Sequence, residues 1–157
     1  MRGSRFFAYL FLLLSVSASA CICAVPRTPS EWYAVHHGQP TFIGVAISVV
    51  SVSDVVRMGG GKPIVDSSGK PIAATVQRVT FRVEESLEGV KTQDIEVYGF
   101  GTTCDYHFNA GQKYLVYGWL GEGGKIRTSM CTRTALFSEA TEDINFLRSM
   151  KSRRSLR

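Results

Sequence analysis

The residues with the clearest chemistry in this sequence are its four cysteines. Cys21 and Cys23 are separated by a single residue, and Cys104 and Cys131 follow much later, 27 residues apart. An even number of cysteines in a short chain is typical of disulfide bonding in an exported protein. We therefore expect two disulfides, and the residue types alone do not say which cysteines pair.

The histidines form neither a metal-binding nor a catalytic pattern. His36 and His37 are adjacent, so their side chains point in different directions in a helix or a strand, and His107 is alone. Because a structural zinc site needs four well-spaced ligands, we expect no metal site and no cofactor. The chain has no Gly-x-Ser-x-Gly motif, and its three consecutive glycines at 59–61 lack the spacing of a phosphate-binding loop. These patterns predict that the protein is not an enzyme.

Residues 1–20 have the three-part pattern of a secretory signal peptide. Two arginines come first, an apolar run follows, and small residues end the segment in Ala18-Ser19-Ala20. The apolar run is shorter than the about 20 residues that a membrane-spanning helix requires. We expect cleavage between Ala20 and Cys21, which gives a 137-residue mature chain that begins with cysteine and lies in the periplasm or outside the cell.

A lipoprotein signal is the alternative interpretation of the same segment. Bacterial lipoproteins are also cleaved just before a cysteine, which then carries lipid on its sulfur. Lipid on Cys21 would leave three thiols, an odd number in an oxidising compartment, and Ala18 stands where such signals usually have leucine. Both observations favour plain cleavage. A membrane partner is expected only if Cys21 is lipidated.

The net charge of +5 does not indicate nucleic-acid binding once the charges are located along the chain. Of 18 basic residues, two lie among the first five residues and five among the last ten, which leaves 11 against 13 acidic residues. The body is therefore slightly acidic, and its aromatic residues are better explained by packing than by stacking on bases.

A length of 157 residues fits one domain and excludes a multidomain enzyme. We expect a monomer with no nucleic-acid partner.

Five segments have the alternation or the β-branched composition of strands. They are residues 42–52, 76–85, 95–100, 113–119 and 126–131. A capping box at Thr28 and Glu31, with Pro29 at the first helical position, predicts a short helix to about residue 35. Residues 139–148 have helical spacing. These elements predict a mostly β fold: a five-stranded Greek-key barrel of the OB type with a short helix at its N-terminal end and another at its C-terminal end.

The predicted barrel domain occupies residues 21–148, and two further segments are not among its predicted strands and helices. Residues 57–75 contain the three glycines and two copies of Gly-Lys-Pro-Ile, at 61–64 and 69–72, which indicates a projecting hairpin or a mobile loop. Residues 149–157 are basic and are expected to form a flexible, solvated tail.

The Cys21-Ile22-Cys23 start after a cleaved signal, followed by a barrel with Cys104 and Cys131, resembles one known family. It is similar to the netrin-like domain at the amino terminus of the tissue inhibitors of metalloproteinases, in the single-domain form of bacterial secreted proteins. In that family the two N-terminal cysteines cross to two later cysteines in sequence order, which implies the disulfides Cys21–Cys104 and Cys23–Cys131. Four further segments resemble the bacterial sequences of this family. They are FIGV at 42–45, VTFRV at 79–83, GQKYLVY at 111–117 and MCTRT at 130–134.

The resemblance also implies a mechanism and a partner. The family's inhibitors chelate the catalytic zinc of a protease through the α-amino nitrogen and the carbonyl oxygen of the first cysteine. Here Cys21 would be the chelating residue, Ile22, Cys23, Ala24 and Val25 would contact the protease, and the partner would be a zinc metalloprotease. Ile22 is bulkier than the small hydroxyl residues common in the animal inhibitors. This chain also lacks their third disulfide and their C-terminal subdomain.

A purely structural role for the cysteines is the alternative. Two disulfides that close long loops stabilise a small secreted domain by about 3 to 5 kcal/mol each in the chain-entropy model. On this interpretation the protein is an envelope or extracellular interaction module without inhibitory activity. The sequence leaves both functions open.

Overall fold

The computed structural model describes residues 21, 23, 28–57 and 62–155. The predicted signal peptide lies outside these ranges and stays a prediction. Within them, the helices are too short or too polar to span a membrane.

The first helix begins where the capping box predicts it. Helix α1 spans Pro29–His36, and the Thr28 hydroxyl accepts a hydrogen bond from the Glu31 backbone N–H at 3.2 Å. The Glu31 carboxylate accepts in return from the Thr28 N–H at 3.0 Å, which completes the capping box. The helix buries Trp32 in the core, which anchors it to the rest of the domain.

The largest element is a long antiparallel hairpin made of strands β1, Thr41–Val55, and β2, Ala73–Glu88. The chain between them is paired as well, through isolated bridges from Arg57 to Pro63 and from Val65 to Pro71. In the described part of the predicted insertion, backbone hydrogen bonds link Val56, Ile64 and Ile72 to one another at 2.8 to 2.9 Å. The described part of the insertion thus continues the pairing of the hairpin and contains a tight turn at residues 66–70.

This hairpin forms the middle of a seven-stranded sheet that curls into a half-barrel. The order across the sheet is β5-β6-β3-β2-β1-β4-β7, and only the pair β3 and β6 is parallel. The remaining strands are β3 Asp94–Tyr98, β4 Lys113–Tyr117, β5 Trp119–Leu120, β6 Ile126–Arg127 and β7 Ala135–Leu136. Two 3-10 helices, Glu122–Gly124 and Phe137–Glu139, connect neighbouring elements.

The described sheet has more strands than the five predicted, and the mostly β class is confirmed. The predicted strand 113–119 is interrupted at Gly118, where an added Cβ would come within 2.5 Å of the Ile126 side chain. The predicted strand 126–131 already ends at Arg127, because the following threonines bond to backbone groups in a turn. Strand β7 was not predicted, since two residues are too short to show an alternation.

Helix α2 spans Thr141–Ser155, so residues 149–155 are helical and the prediction of a flexible tail is wrong for them. The reason is that basic side chains three residues apart on α2 reach acidic and carbonyl groups near the end of β2. The contacts are Arg148 with Glu85 at 2.6 Å, Lys151 with the Ser86 carbonyl at 2.7 Å and Arg154 with Glu88 at 2.6 Å.

The core has two parts, one on each face of the sheet. Adjacent residues such as Phe42 and Ile43 belong to different parts, because successive side chains of a strand point to opposite faces. Phe42 packs with Phe81 and other apolar residues, whereas Ile43 packs with side chains of α1 and α2, including Trp32. The helices therefore cover one face, and the loops that carry the later cysteines leave the ends of the strands.

Candidate functional site

The four cysteines lie together as two adjacent disulfides, which we call the cysteine cluster. Cys21 is bonded to Cys104 and Cys23 to Cys131, with Cα–Cα distances of 5.7 and 5.0 Å. These are the two pairs that the family resemblance implies. The disulfides are close neighbours, since the Cys21 sulfur lies 3.9 Å from the sulfurs of both Cys131 and Cys23. All four residues are partly exposed at the surface.

The loop that carries Cys104 is held by the buried carboxylate of Asp105. Its two oxygens accept hydrogen bonds from the backbone N–H groups of Phe100 at 2.8 Å and Gly101 at 2.9 Å. Gly101 has a positive φ of 81°, and a Cβ at Gly99 would overlap the Asp105 carboxylate, so the glycines permit this tight loop. Asp105 therefore fixes the backbone on which Cys104 stands.

The turn that carries Cys131 is held by hydroxyl groups. The Ser129 hydroxyl accepts from the Cys131 N–H at 3.2 Å, and the Ser129 carbonyl accepts from the Thr132 hydroxyl at 2.9 Å. The Thr134 hydroxyl accepts from the Tyr117 N–H at 2.9 Å, which joins the turn to strand β4. Ser129, Thr132 and Thr134 are all buried. Hydrogen bonds thus attach the turn to the sheet in addition to the disulfide.

The two cysteine loops are also bonded to each other. The Met130 N–H donates to the Cys104 carbonyl at 2.8 Å. Met130, by contrast, is 48% exposed and directly precedes Cys131 in the chain. Cys21 and Cys23 are therefore attached to one continuous support that carries an exposed apolar side chain.

An ion pair behind the Cys131 turn connects it to helix α2. The Arg133 guanidinium donates to both oxygens of Asp143 at 2.6 Å, and the Tyr117 hydroxyl donates to the same carboxylate at 2.7 Å. Burial raises the pKa of Tyr117 above its usual range, and the bond to Asp143 adds to the shift. The bond to Asp143 likewise raises the pKa of Arg133. The Tyr117 hydroxyl therefore stays protonated and Arg133 stays charged throughout the neutral pH range.

A second buried arginine supports the start of the Cys104 loop. Arg127 donates to the Gly99 carbonyl and, at 2.7 Å, to the Asp54 carboxylate on β1. Burial by itself raises the pKa of Asp54, but hydrogen bonds from Lys125, the Val55 backbone and Arg127 outweigh it and hold this pKa below its usual range. Asp54 therefore stays ionised at neutral pH, and its bond to Arg127 ties the start of the loop to β1.

The structure places only some of the predicted site residues. Cys21, Cys23, Cys104 and Cys131 come together as described, whereas Ile22, Ala24 and Val25 lie outside the described residues. His36 and His37 contact different aromatic neighbours, Trp32 and Tyr33, with ring centroids 4.0 and 6.2 Å apart.

Sequence reasoning missed the residues that support the cluster, namely Asp105, Met130 and the hydroxyl groups of the 129–134 turn. A carboxylate shortly after a Gly-x-Gly pair was a usable signal for Asp105, because buried carboxylates often cap the N–H groups of glycine loops. Met130 gave no signal, since its exposure depends on the turn geometry. Cys131 and the MCTRT segment at 130–134, which the family resemblance included, were the indications that the turn matters.

A polar cleft of about 270 Å³ lies against the Cys104 loop. Asp105, Thr102 and His107 line one part of it, and strands β1 and β2 supply Ser51 and Gln77 on the other. Gln77 uses its side-chain oxygen to accept from the Phe108 N–H at 3.0 Å, so this residue braces the loop as well. The cleft and the cysteine cluster thus share one loop.

No protein-family model matches the chain, and no curated protein shows a significant sequence match.

Proposed function

We propose that this protein is an exported inhibitor of zinc metalloproteases that acts through its amino terminus. Removal of residues 1–20 makes Cys21 the first residue. Its α-amino nitrogen and carbonyl oxygen then chelate the protease zinc in a five-membered ring. Catalytic zinc sites keep one position for water, and the chelate displaces the water that would attack the substrate.

The attachment of Cys21 and Cys23 to two fixed loops is the observation that carries this proposal. A free chain end would lose conformational entropy on binding, and the disulfides to Cys104 and Cys131 remove that loss in advance. An α-amine has a pKa of about 8, so it gives up its proton to zinc at neutral pH with little loss of binding energy. A terminal chelate in this position is therefore preorganised.

The proposed contact surface continues along the chain from the chelating residue. Ile22, Cys23, Ala24 and Val25 form its first part, and Ile22 enters the specificity pocket next to the zinc. Met130 extends the surface, because it is an exposed apolar side chain on the same support. An apolar ridge of this kind fits the substrate cleft of a protease.

We also infer that the sheet is a distorted netrin-like barrel of the OB type. The five-stranded form follows if β4, Gly118 and β5 are counted as one bent strand. That strand pairs with β1 through β4 and with β6 through β5, so it joins both sides of the curled sheet. The parallel pairing of β3 with β6 supports the same topology.

A structural module is the second candidate, and the same disulfides favour it. They link positions 83 and 108 residues apart, which stabilises the fold whether or not the terminus meets a protease. On this view the protein is an exported interaction module. The lipoprotein form of such a module does not fit the structure, because a Cys21 sulfur that carries a lipid cannot also form the disulfide with Cys104.

The test compares the chain that begins at Cys21 with a variant that has one extra alanine before Cys21. The extension converts the α-amine of Cys21 into an amide, which does not coordinate zinc, so inhibition should be abolished. The matched control carries the extra alanine after Arg157. Inhibition constants are measured against a panel of zinc metalloproteases, and intact mass confirms both disulfides in every variant.

Inhibition that survives the N-terminal extension would contradict the proposed mechanism. If the chain starting at Cys21 inhibits none of the proteases although both disulfides are present, the interaction module is the better explanation.

A further inference from the structure

The cysteine cluster has the geometry of a soft-metal site as well as that of two disulfides. The ligand atoms of Cys21, Cys104 and Cys131 all lie within 4.8 Å of one another, and the sulfur of Cys23 lies 3.9 Å from that of Cys21. In a tetrahedral zinc site with Zn–S bonds of about 2.3 Å, neighbouring sulfurs are about 3.8 Å apart. The distances from the Cys21 sulfur to the sulfurs of Cys131 and Cys23, 3.9 Å each, are close to this value.

Hydrogen bonds hold the backbone of the two loop cysteines in addition to the disulfides. Asp105 holds the Cys104 loop, the Ser129 hydroxyl holds the Cys131 backbone, and the Met130 N–H bonds the second loop to the Cys104 carbonyl. None of these hydrogen bonds involves a sulfur atom, so we expect them to survive reduction. Half of a four-sulfur site is therefore preformed in the folded domain, and Cys21 and Cys23 supply the other half from one short segment.

We propose that, when both disulfides are reduced, the cysteine cluster binds one zinc ion through its four thiolates. This site is independent of the proposed inhibitory function, because it needs no free α-amine. A phosphine reductant breaks each S–S bond, is oxidised to the phosphine oxide by an oxygen atom from water, and leaves two thiols. Zinc then replaces the four thiol protons, which pass to the buffer.

The oxidation state of the four cysteines decides whether the cysteine cluster can bind a metal ion. In the oxidised protein the sulfurs are bonded in pairs and have no thiolate to offer. In the reduced protein four thiolates would repel one another at these distances, and a divalent cation removes that repulsion. Zinc suits the site because it accepts four sulfur ligands in tetrahedral geometry without a redox change.

Cobalt(II) serves as the probe, because tetrahedral cobalt thiolates have visible and near-ultraviolet bands that zinc lacks. The phosphine-reduced, metal-free protein is titrated with cobalt(II), and the complex is then titrated with zinc. We expect one cobalt per protein with sulfur-to-cobalt charge-transfer bands, displaced by one equivalent of zinc. The oxidised protein should show no such bands.

Serine variants assign the site to the cluster. The double variant Cys104→Ser/Cys131→Ser should lower zinc affinity by more than the about 10- to 100-fold that loss of an outer-shell partner brings. The matched control His37→Ala removes an exposed imidazole and should leave the affinity unchanged. Absence of charge-transfer bands, or an affinity that the double serine variant leaves unaltered, would overturn the proposal.

Near-ultraviolet circular dichroism keeps the test decisive if reduction loosens the fold. Metal binding to a site that exists only in the folded domain stabilises that domain. One equivalent of zinc should therefore restore the aromatic signal of the reduced protein. Zinc uptake without recovery of that signal would mean that unfolded thiols bind the metal, and the proposed site would be wrong.

Discussion

At the scale of single residues, Asp105 is the side chain on which the Cys104 loop most depends. We expect Asp105→Asn to lower the free energy of unfolding by about 1 to 3 kcal/mol, because the amide nitrogen cannot accept a hydrogen bond and leaves one loop N–H without its acceptor. Asp105 is only 8% exposed, so water does not readily replace the lost acceptor. Urea unfolding of the oxidised protein measures the change.

Asp66 offers the matched control for this prediction. Its carboxylate also accepts from backbone N–H groups, those of Ser68 at 2.8 Å and Lys70 at 3.0 Å, but it is fully exposed at a turn. Water can replace those bonds, so Asp66→Asn should change stability much less than Asp105→Asn. Equal effects of the two substitutions would show that burial of Asp105 is not what makes it important.

At the scale of elements, the joint between helix α2 and the Cys131 turn depends on Asp143. Asp143→Ala removes the carboxylate that both Arg133 and Tyr117 contact, and it leaves a mostly buried guanidinium without this counter-charge. Removing one partner of a buried ion pair costs about 3 to 5 kcal/mol, and we expect a loss near the lower limit because Arg133 is 17% exposed. Thermal and urea unfolding measure the loss.

Glu142 is the control beside it on the same helix. It lies 4.0 Å from Arg133 and its side chain is 74% exposed, so Glu142→Ala should have little effect on the free energy of unfolding. If the two substitutions destabilise the protein equally, net charge at the start of α2 matters and the buried pair does not.

Local patterns predicted the elements well and their joints poorly. The capping box at Thr28 and the alternation along residues 76–85 each reflect neighbours in sequence, so α1 was found to within about one residue and β2 was found but three residues short at each end. The end of α2 depends on Glu85 and Glu88, more than 60 residues away in the chain, and composition alone made residues 149–155 look like a tail. The supports of the cysteine cluster were missed for the same reason.

At the scale of the whole molecule, the two disulfides tie the N-terminal segment to loops far along the chain. The cysteines of the two pairs are 83 and 108 residues apart, and loop entropy grows only with the logarithm of length, so the two bonds should contribute nearly equally. The two supporting loops are also held by hydrogen bonds that involve no sulfur atom. Each disulfide therefore acts mainly on the unfolded chain, by restricting it.

We accordingly expect Cys21→Ser/Cys104→Ser and Cys23→Ser/Cys131→Ser each to lower the free energy of unfolding by about 2 to 5 kcal/mol, to a similar extent. Urea unfolding of each double variant, compared with the oxidised protein, measures the loss, and replacing both members of a pair avoids a free thiol that could exchange with the remaining disulfide. If a double variant unfolds at the same urea concentration as the parent, the disulfide has no stabilising role, and holding the amino terminus in place is the function left for it.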